Sequence, residues 1–384
     1  MRVYLVLLVF VELFIGGSGQ IFKVGDFTLR HILFALLMAV YLFDVIVCKV
    51  SFTCNASSVL VSLMLFWSIF SALIGVGSGH LEFLIFNDIS PMLYFMMYFP
   101  LQAYIVKYGV EFSTISKLLT FCVFTVSVVL ILIHVSYYVF FDSNIAELRY
   151  FYNDFFGDDI FWFRNGGFVF YPSLIFALLL SVLLFYKIVT LRRLGIFECV
   201  AYCVALIAIL ISMTKGLIAA CLLGHCIVFL VSKKTFKINL AVLSLCVFVV
   251  ALAISSFDFS RFKNVEQDSG TRVRMITFNE SLDAIDNSFI LIGQGFGKTL
   301  PSKEGHQENS YMDILVEQGL IGLALYAFVF LHIHLARKNN MGLYLAFVVV
   351  GLMSLTNPYI NNPLGISIII LCLIYNDQRR VVAC

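Results

Sequence analysis

Leu118–Phe141 reads LLTFCVFTVSVVLILIHVSYYVFF and carries no charged side chain. Crossing the hydrocarbon layer of a bilayer as a helix takes roughly 20 apolar residues, so this stretch is long enough to span. Every backbone N–H and C=O in lipid must find its partner within the segment, which predicts a helix and not an open strand. Apolar runs of this length also exclude a β-barrel, whose strands alternate and are far shorter. The pattern repeats in both directions. Further runs fall near 3–18, 30–48, 57–76, 91–106, 166–186, 197–213, 216–232, 238–257, 310–336, 342–356 and 363–376. Of 384 residues, 61% are hydrophobic and 12% charged, whereas soluble domains carry about a quarter charged residues. The expected fold is an all-α integral membrane protein of about twelve transmembrane helices, one polytopic domain over residues 1–384.

Arg2 ahead of an apolar run that ends in Gly16-Gly17-Ser18-Gly19 could be taken for a secretory signal. Glu12 inside the run and the spans that follow favour a retained first span. Charge then sets the orientation. With the amino terminus cytoplasmic, the inner side receives 14 of the 25 basic residues, among them Lys49, Lys107, Lys187, Lys233, Arg337 and Arg379, against four acidic ones. The outer side holds 11 basic and 18 acidic residues. Short basic inner loops are what the positive-inside rule requires, so both termini are expected in the cytoplasm. None of the ten cysteines falls in a predicted outer loop, and none has zinc-finger spacing. That speaks against a disulfide framework and for small apolar residues in helices.

Two expected outer loops are long, 142–165 and 258–309, and loops above about 15 residues usually carry function. In the second, Val273, Ile276, Leu282, Ile285 and Phe289 recur at helical spacing, which predicts an amphipathic helix on the membrane surface. Gly293-Gln294-Gly295-Phe296-Gly297 follows and reads as a flexible turn returning the chain to the membrane. Basic residues at the boundary of a net-negative face need a reason. Arg164 precedes one span, Lys215 sits in a very short turn between two spans, and Arg272 and Arg274 open the amphipathic segment. A lipid diphosphate presents its charge at that depth, where arginine offers a planar fork of donors and lysine a point charge. Each has an ordinary account too: Lys215 could snorkel to the surface, and Arg164 could pair with Asp158 or Asp159. Before the tenth span, His306 and Glu308 are candidates for a general base, and Asn309 or Ser310 suits a helix N-cap. His134, His225, His332 and His334 read as helix-packing residues.

These residues resemble a family. The run Thr271–Gly322 joins an arginine-led helix, the glycine turn and His306…Glu308-Asn309-Ser310-Tyr311-Met312-Asp313, and ends in Glu317-Gln318-Gly319-Leu320-Ile321-Gly322. It looks like the signature region of the bacterial O-antigen polymerase and O-antigen ligase superfamily. Arg164-Asn165-Gly166-Gly167 with Pro172, Ser212-Met213-Thr214-Lys215-Gly216, Asn357-Pro358-Tyr359 and Pro363-Leu364-Gly365 are similar to other landmarks of it, so that the likeness covers roughly 160–375. Two departures stand out. Lys215 occupies a turn where the family commonly has arginine, and Gln307-Glu308 separates His306 from the asparagine that often follows it directly.

The resemblance implies a metal-independent glycosyltransferase of the bacterial inner membrane that needs no cofactor. Its substrate would be an undecaprenyl-diphosphate-linked oligosaccharide, taken at the periplasmic face and passed to a sugar hydroxyl. On this reading His306 or Glu308 is the catalytic base. Arg164, Lys215, Arg272 and Arg274 bind the diphosphate, and Asn309 and Tyr311 support the motif. The implied partners are this glycan lipid and the bilayer, with a chain-length regulator left open and no nucleic acid. Polymerase is the leading expectation, and a ligase that delivers glycan to lipid A–core is the nearest alternative. A secondary transporter is a third, against which the spans offer few ionisable residues (Glu12, His134 and His225 the clearest).

Overall fold

The computed structural model describes residues 2–17, 23–24, 27–47, 49–50, 54–156, 160–164, 166–191, 194–232, 269–285, 289–302 and 309–381. In chain order its helices open with α1 (Arg2–Ile15), α2 (Leu29–Ile46), α3 (Ala56–Gly77), α4 (Glu82–Leu93) and α5 (Tyr98–Tyr108). Next come α6 (Phe112–Val139), α7 (Ile145–Phe156), α8 (Leu174–Leu191), α9 (Ile196–Ile211) and α10 (Lys215–Val231). The last are α11 (Ser269–Ala284), α12 (Ser310–Leu335), α13 (Met341–Met353) and α14 (Pro363–Val381). Two antiparallel hairpins interrupt them: β1 (Lys23–Val24) with β2 (Phe27–Thr28), and β3 (Trp162–Arg164) with β4 (Phe168–Phe170). Five stretches are long and apolar enough to cross a bilayer: Leu29–Ile46, Ala56–Gly77, Glu82–Tyr108, Phe112–Val139 and Ser310–Leu335. Shorter apolar helices accompany them. The chain is an all-α, multi-pass membrane protein. The expected span 238–257 lies outside the described residues.

Two of the expected spans are built differently. The run expected at 91–106 begins earlier, at Glu82, and passes through a 3-10 turn at Tyr94–Met97 before α5. Pro91 sits inside α4; with no N–H to give, it favours a tightened turn just beyond it. The run expected at 166–186 is a hairpin followed by a helix. Gly166 and Gly167 hold φ of 81° and 67°, a left-handed turn that closes β3 on β4. The helix begins only at Leu174, after Pro172.

The chain forms two compact units. The first comprises Met1–Ser51, Pro100–Ala253 and Leu345–Val350. In it α1 packs on α2 and α6, α6 also packs on α8 and α9, and α10 packs on α8. Its buried charges come in pairs, because an unpaired charge in this setting is prohibitive. Arg30 Nε donates to Glu12 Oε2 at 2.8 Å while its Nη2 donates to the Gly17 carbonyl at 2.7 Å. Arg2 pairs with Asp44, which also accepts from the Tyr104 hydroxyl at 2.9 Å. His225 fits the packing role expected of it. Its Nε2 meets the Tyr202 hydroxyl at 2.8 Å, and Nδ1 meets the Cys221 carbonyl at 2.7 Å.

The second unit comprises Phe52–Phe99, Ile254–Tyr344 and Gly351–Cys384. There α12 packs on α3, α11 and α14, and α3 packs on α4. Helix α12 is discontinuous: Gly319 has φ 68° and ψ −168° in its middle. The glycine run Gly293–Gly297 fills that break. It is not the loose turn that glycine content alone suggests. Gln294 N–H donates to Val316 O (2.8 Å), Gly295 N–H to Glu317 O (3.0 Å) and Phe296 N–H to Ser71 O (3.1 Å). Beyond the break, Leu320 and Ile321 N–H donate to the carbonyls of Ile290 and Leu291. The freed carbonyl of Gln318 takes the indole N–H of Trp67 at 2.9 Å. Backbone groups released inside an apolar domain must be satisfied this way.

Candidate functional site

In the first unit the hairpin brings two boundary motifs together. Strand alternation turns Phe163 inward and leaves Trp162 and Arg164 on the other face. Arg164 is half-buried, and its Nη1 donates to the carbonyl of Met213 at 2.6 Å. Met213 lies in the turn between α9 and α10 with φ of 48°, a left-handed conformation that a non-glycine residue adopts at a cost of about 1 kcal/mol. Ser212 fixes the turn by donating to Ile209 O at 2.7 Å and accepting from Thr214 N–H at 3.2 Å. Lys215 is the first residue of α10 and half-buried. A cation is electrostatically misplaced at a helix amino terminus, where the dipole already presents positive charge. A helix amino terminus that also carries a lysine suits an anion.

His134, expected only to pack, also buttresses the hairpin. Its ring contacts the Gly167 carbonyl at 2.8 Å and stacks on Phe168 at 5.2 Å. Tyr138 donates to the Gly166 carbonyl at 3.2 Å.

The remaining expected site residues lie in the second unit. Arg272 is exposed and Arg274 half-buried on α11. Thr277 and Ser281 form the buried side of that helix, while Val273, Ile276 and Leu282 are exposed. Glu280 holds the segment after the glycine loop through Ser302, accepting from its N–H at 3.1 Å and its hydroxyl at 2.6 Å. Asn309 caps α12, accepting from the N–H of Tyr311 at 3.0 Å and of Met312 at 3.3 Å. The same helix start is pinned to the turn before α14. Ser310 N–H donates to Ser354 O at 3.0 Å, and the Tyr311 hydroxyl donates to Gly351 O at 2.8 Å. Asn361 Nδ2 donates to Asp313 Oδ2 at 2.6 Å. Burial raises the Tyr359 phenol above its ordinary range, so it stays protonated in that turn. His306 and Glu308 lie outside the described residues.

Three acidic residues were not singled out from sequence: Asp88 on α4, with Asp313 and Glu317 on α12, all buried. With Glu12, Arg30 and Asp44 they make the helices richer in ionisable groups than the few expected. A window averaged for hydropathy tolerates two acids among many apolar residues, which is why they passed unremarked. Among the described residues, no three His, Cys, Asp or Glu side chains are grouped to hold a metal ion.

A family model described as O-antigen ligase matches residues 199–327, from the start of α9 into α12. The stretch includes Lys215, Arg272, Arg274, His306 and Glu308. An O-antigen polymerase of Shigella flexneri is 22% identical over 366 residues, covering 94% of this chain and 90% of that protein. The family model thus falls on the same turn, α11 and broken helix that organise both units, and the relative runs along nearly the whole chain. The chain is therefore similar to an O-antigen ligase family model over about a third of its length and to an O-antigen polymerase along nearly all of it.

Proposed function

We propose that the protein is an O-antigen polymerase. It joins undecaprenyl-diphosphate-linked oligosaccharide repeat units at the periplasmic face of the inner membrane, as a glycosyltransferase of lipopolysaccharide assembly. The observation that carries this reading is the bond from Arg164 to the Met213 carbonyl. It ties one boundary cation to the turn that begins α10 at Lys215, so that two cations and a helix amino terminus form one anion-binding set.

In the reaction a sugar hydroxyl of one lipid-linked unit attacks the anomeric carbon of another. The new glycosidic bond forms as the carbon–oxygen bond to the diphosphate breaks, and the diphosphate leaves with the electron pair. Negative charge gathers on that leaving group, where preplaced cations lower the barrier most. Arg164 and Lys215 take this role in the first unit, and Arg272 and Arg274 on α11 take it in the second. His306 or Glu308 accepts the hydroxyl proton, and Asn309 and Tyr311 fix the start of α12 just after them. The mechanism needs no metal, so polymerisation should survive a chelator.

The loops 142–165 and 258–309 belong to the periplasmic side on this reading, with both termini in the cytoplasm. A polymerase is favoured over a ligase because the similarity to a polymerase runs along nearly both full chains, whereas the ligase-described model covers about a third of this one. Disrupting the gene and running the host's lipopolysaccharide on a gel separates the two. Loss of a polymerase leaves core bearing a single repeat unit; bare core would make the protein the ligase. Alanine at Arg164, Lys215, Arg272 or Arg274 is expected to shorten or abolish the ladder, and unchanged ladders for all four would sink the diphosphate role.

A further inference from the structure

His134 and His225 both sit inside apolar helices of the first unit, and their rings serve different tasks. His225 turns Nδ1 back on its own helix, to the carbonyl of Cys221 four residues earlier at 2.7 Å. His134 of α6 sends Nδ1 outward instead, to the carbonyl of Gly167 in the β3–β4 turn at 2.8 Å. A carbonyl only accepts, so this nitrogen carries the hydrogen and donates it. Residues three and four apart share a helix face, and Tyr137 and Tyr138 stand beside His134 on that face of α6. The Tyr138 hydroxyl donates to the Gly166 carbonyl at 3.2 Å. The Tyr137 ring comes within 2.4 Å of where a Cβ on Gly167 would stand, so the turn lies directly on it.

From the turn the hold passes to Arg164. The His134 ring stacks on Phe168, with centroids 5.2 Å apart and planes 22° apart. Phe168 pairs with Arg164 across the hairpin, in the rung nearest the turn. Opposed residues of an antiparallel pair stand side by side on one face. His134 therefore grips both the turn that follows Arg164 and the residue opposite it. Each strand is three residues long, and a two-stranded hairpin is marginal by itself, so its shape depends on what it lies against. From this rung Arg164 Nη1 reaches the Met213 carbonyl, in the turn before α10.

We propose that His134, helped by Tyr138, is a positioning residue: by holding the Gly166–Gly167 turn it sets how Arg164 meets the departing diphosphate. This deepens the function proposed above and rests on it, since Arg164 must act on that group. Repeat-unit transfer by the full-length protein in lipid nanodiscs tests it, with His134→Phe, His134→Asn and Arg164→Lys. Phenylalanine keeps a ring against Phe168 and loses the donor; asparagine loses the ring and keeps an N–H near the place of Nδ1. His134→Phe should lower kcat about tenfold, the worth of one hydrogen bond. KM should change little, because the leaving group gathers its charge only in the transition state. His134→Asn should recover most of the rate. In the Arg164→Lys background His134→Phe should cost less than about twofold further, since the two residues act as a unit. Amide hydrogen exchange across residues 166–171 reads the hold without any reaction: it should quicken in His134→Phe and stay near wild type in His134→Asn. Unchanged exchange or a wild-type kcat in His134→Phe, or an undiminished tenfold loss in the Arg164→Lys background, overturns the positioning role. Equal losses for phenylalanine and asparagine also overturn it, because the ring then only packs. Arg164→Ala separates this failure from that of the wider reading. Full activity of that variant sinks the diphosphate role of Arg164, whereas its loss of rate beside a fully active His134→Phe sinks the positioning alone. Should His134→Phe not fold, Tyr138→Phe removes the donor to Gly166 O and takes its place in the exchange and double-variant comparisons.

Discussion

On the proposed reading Arg164 serves two tasks. Nη1 donates to the Met213 carbonyl, and the same guanidinium meets phosphate. Lysine keeps the charge but has no fork to divide. Arg164→Lys should therefore lower polymerisation by about ten- to a hundredfold, the value of one hydrogen bond to a charged group. Repeat-unit transfer by the reconstituted protein measures it, and wild-type rates would show that charge alone suffices. That Arg164 and Lys215 each stand beside an apolar run is legible in the sequence. Their junction is not, because it runs through a backbone carbonyl in a left-handed turn that no residue pattern announces. Glycines give a second residue-scale test. Gly79 has φ of 75° and nothing near its absent Cβ, so Gly79→Ala should cost only the conformational penalty, about 1–2 kcal/mol. A Cβ on Gly295 or Gly319 would overlap the backbone of Gly75 or of Leu291 and Gly293. Alanine there should cost more than about 4 kcal/mol, since backbone cannot step aside as a side chain can. Unfolding midpoints in one detergent rank the three, and equal losses would refute the interlocked glycines.

At the scale of elements, hydropathy located helices within a few residues wherever a span is a plain helix: 30–48 against Leu29–Ile46, and 57–76 against Ala56–Gly77. It failed where apolar residues serve another structure. Phe168, Val169 and Phe170 score as membrane helix yet pair as a strand, because the pleat buries the same side chains with period two. Gly319 escaped notice for a related reason. A lone glycine in a helical run is tolerated, and the loop that fills its break lies some distance earlier in the chain. The break is stabilised by a cap from α3, the Trp67 indole on Gln318 O. Trp67→Phe keeps the ring volume near and leaves that carbonyl without its donor, so it should destabilise by about 1–3 kcal/mol. Ser71→Ala is the contrast. The Ser71 hydroxyl is buried with no partner while its backbone carbonyl does the holding, so removing the hydroxyl should be neutral or slightly stabilising. A tolerated Trp67→Phe would mean that the loop, not the indole, carries the break.

On the scale of the whole molecule, the charge tally makes a claim that no single helix can make. Lys233, Lys234 and Lys237 gather in a short stretch, whereas the long segment 258–309 carries eight acidic and six basic residues, so the short basic stretch suits the cytoplasmic side. On the proposed orientation an odd number of crossings separates Lys237 from Ser302, and the apolar run 238–257 is long enough in sequence to be one. Arg272 and Arg274 serve a periplasmic diphosphate only if this holds; were α11 cytoplasmic, they would face the wrong side of the membrane for the proposed chemistry. Fusing alkaline phosphatase, active only in the periplasm, after Lys237 and after Ser302 tests the arrangement directly. Activity is expected at the second position and not at the first. Activity at both, or at neither, would remove the crossing between them and with it the role of α11 in binding the leaving group. The reverse pattern would invert the molecule, and the reaction would then have to be sought on the cytoplasmic side.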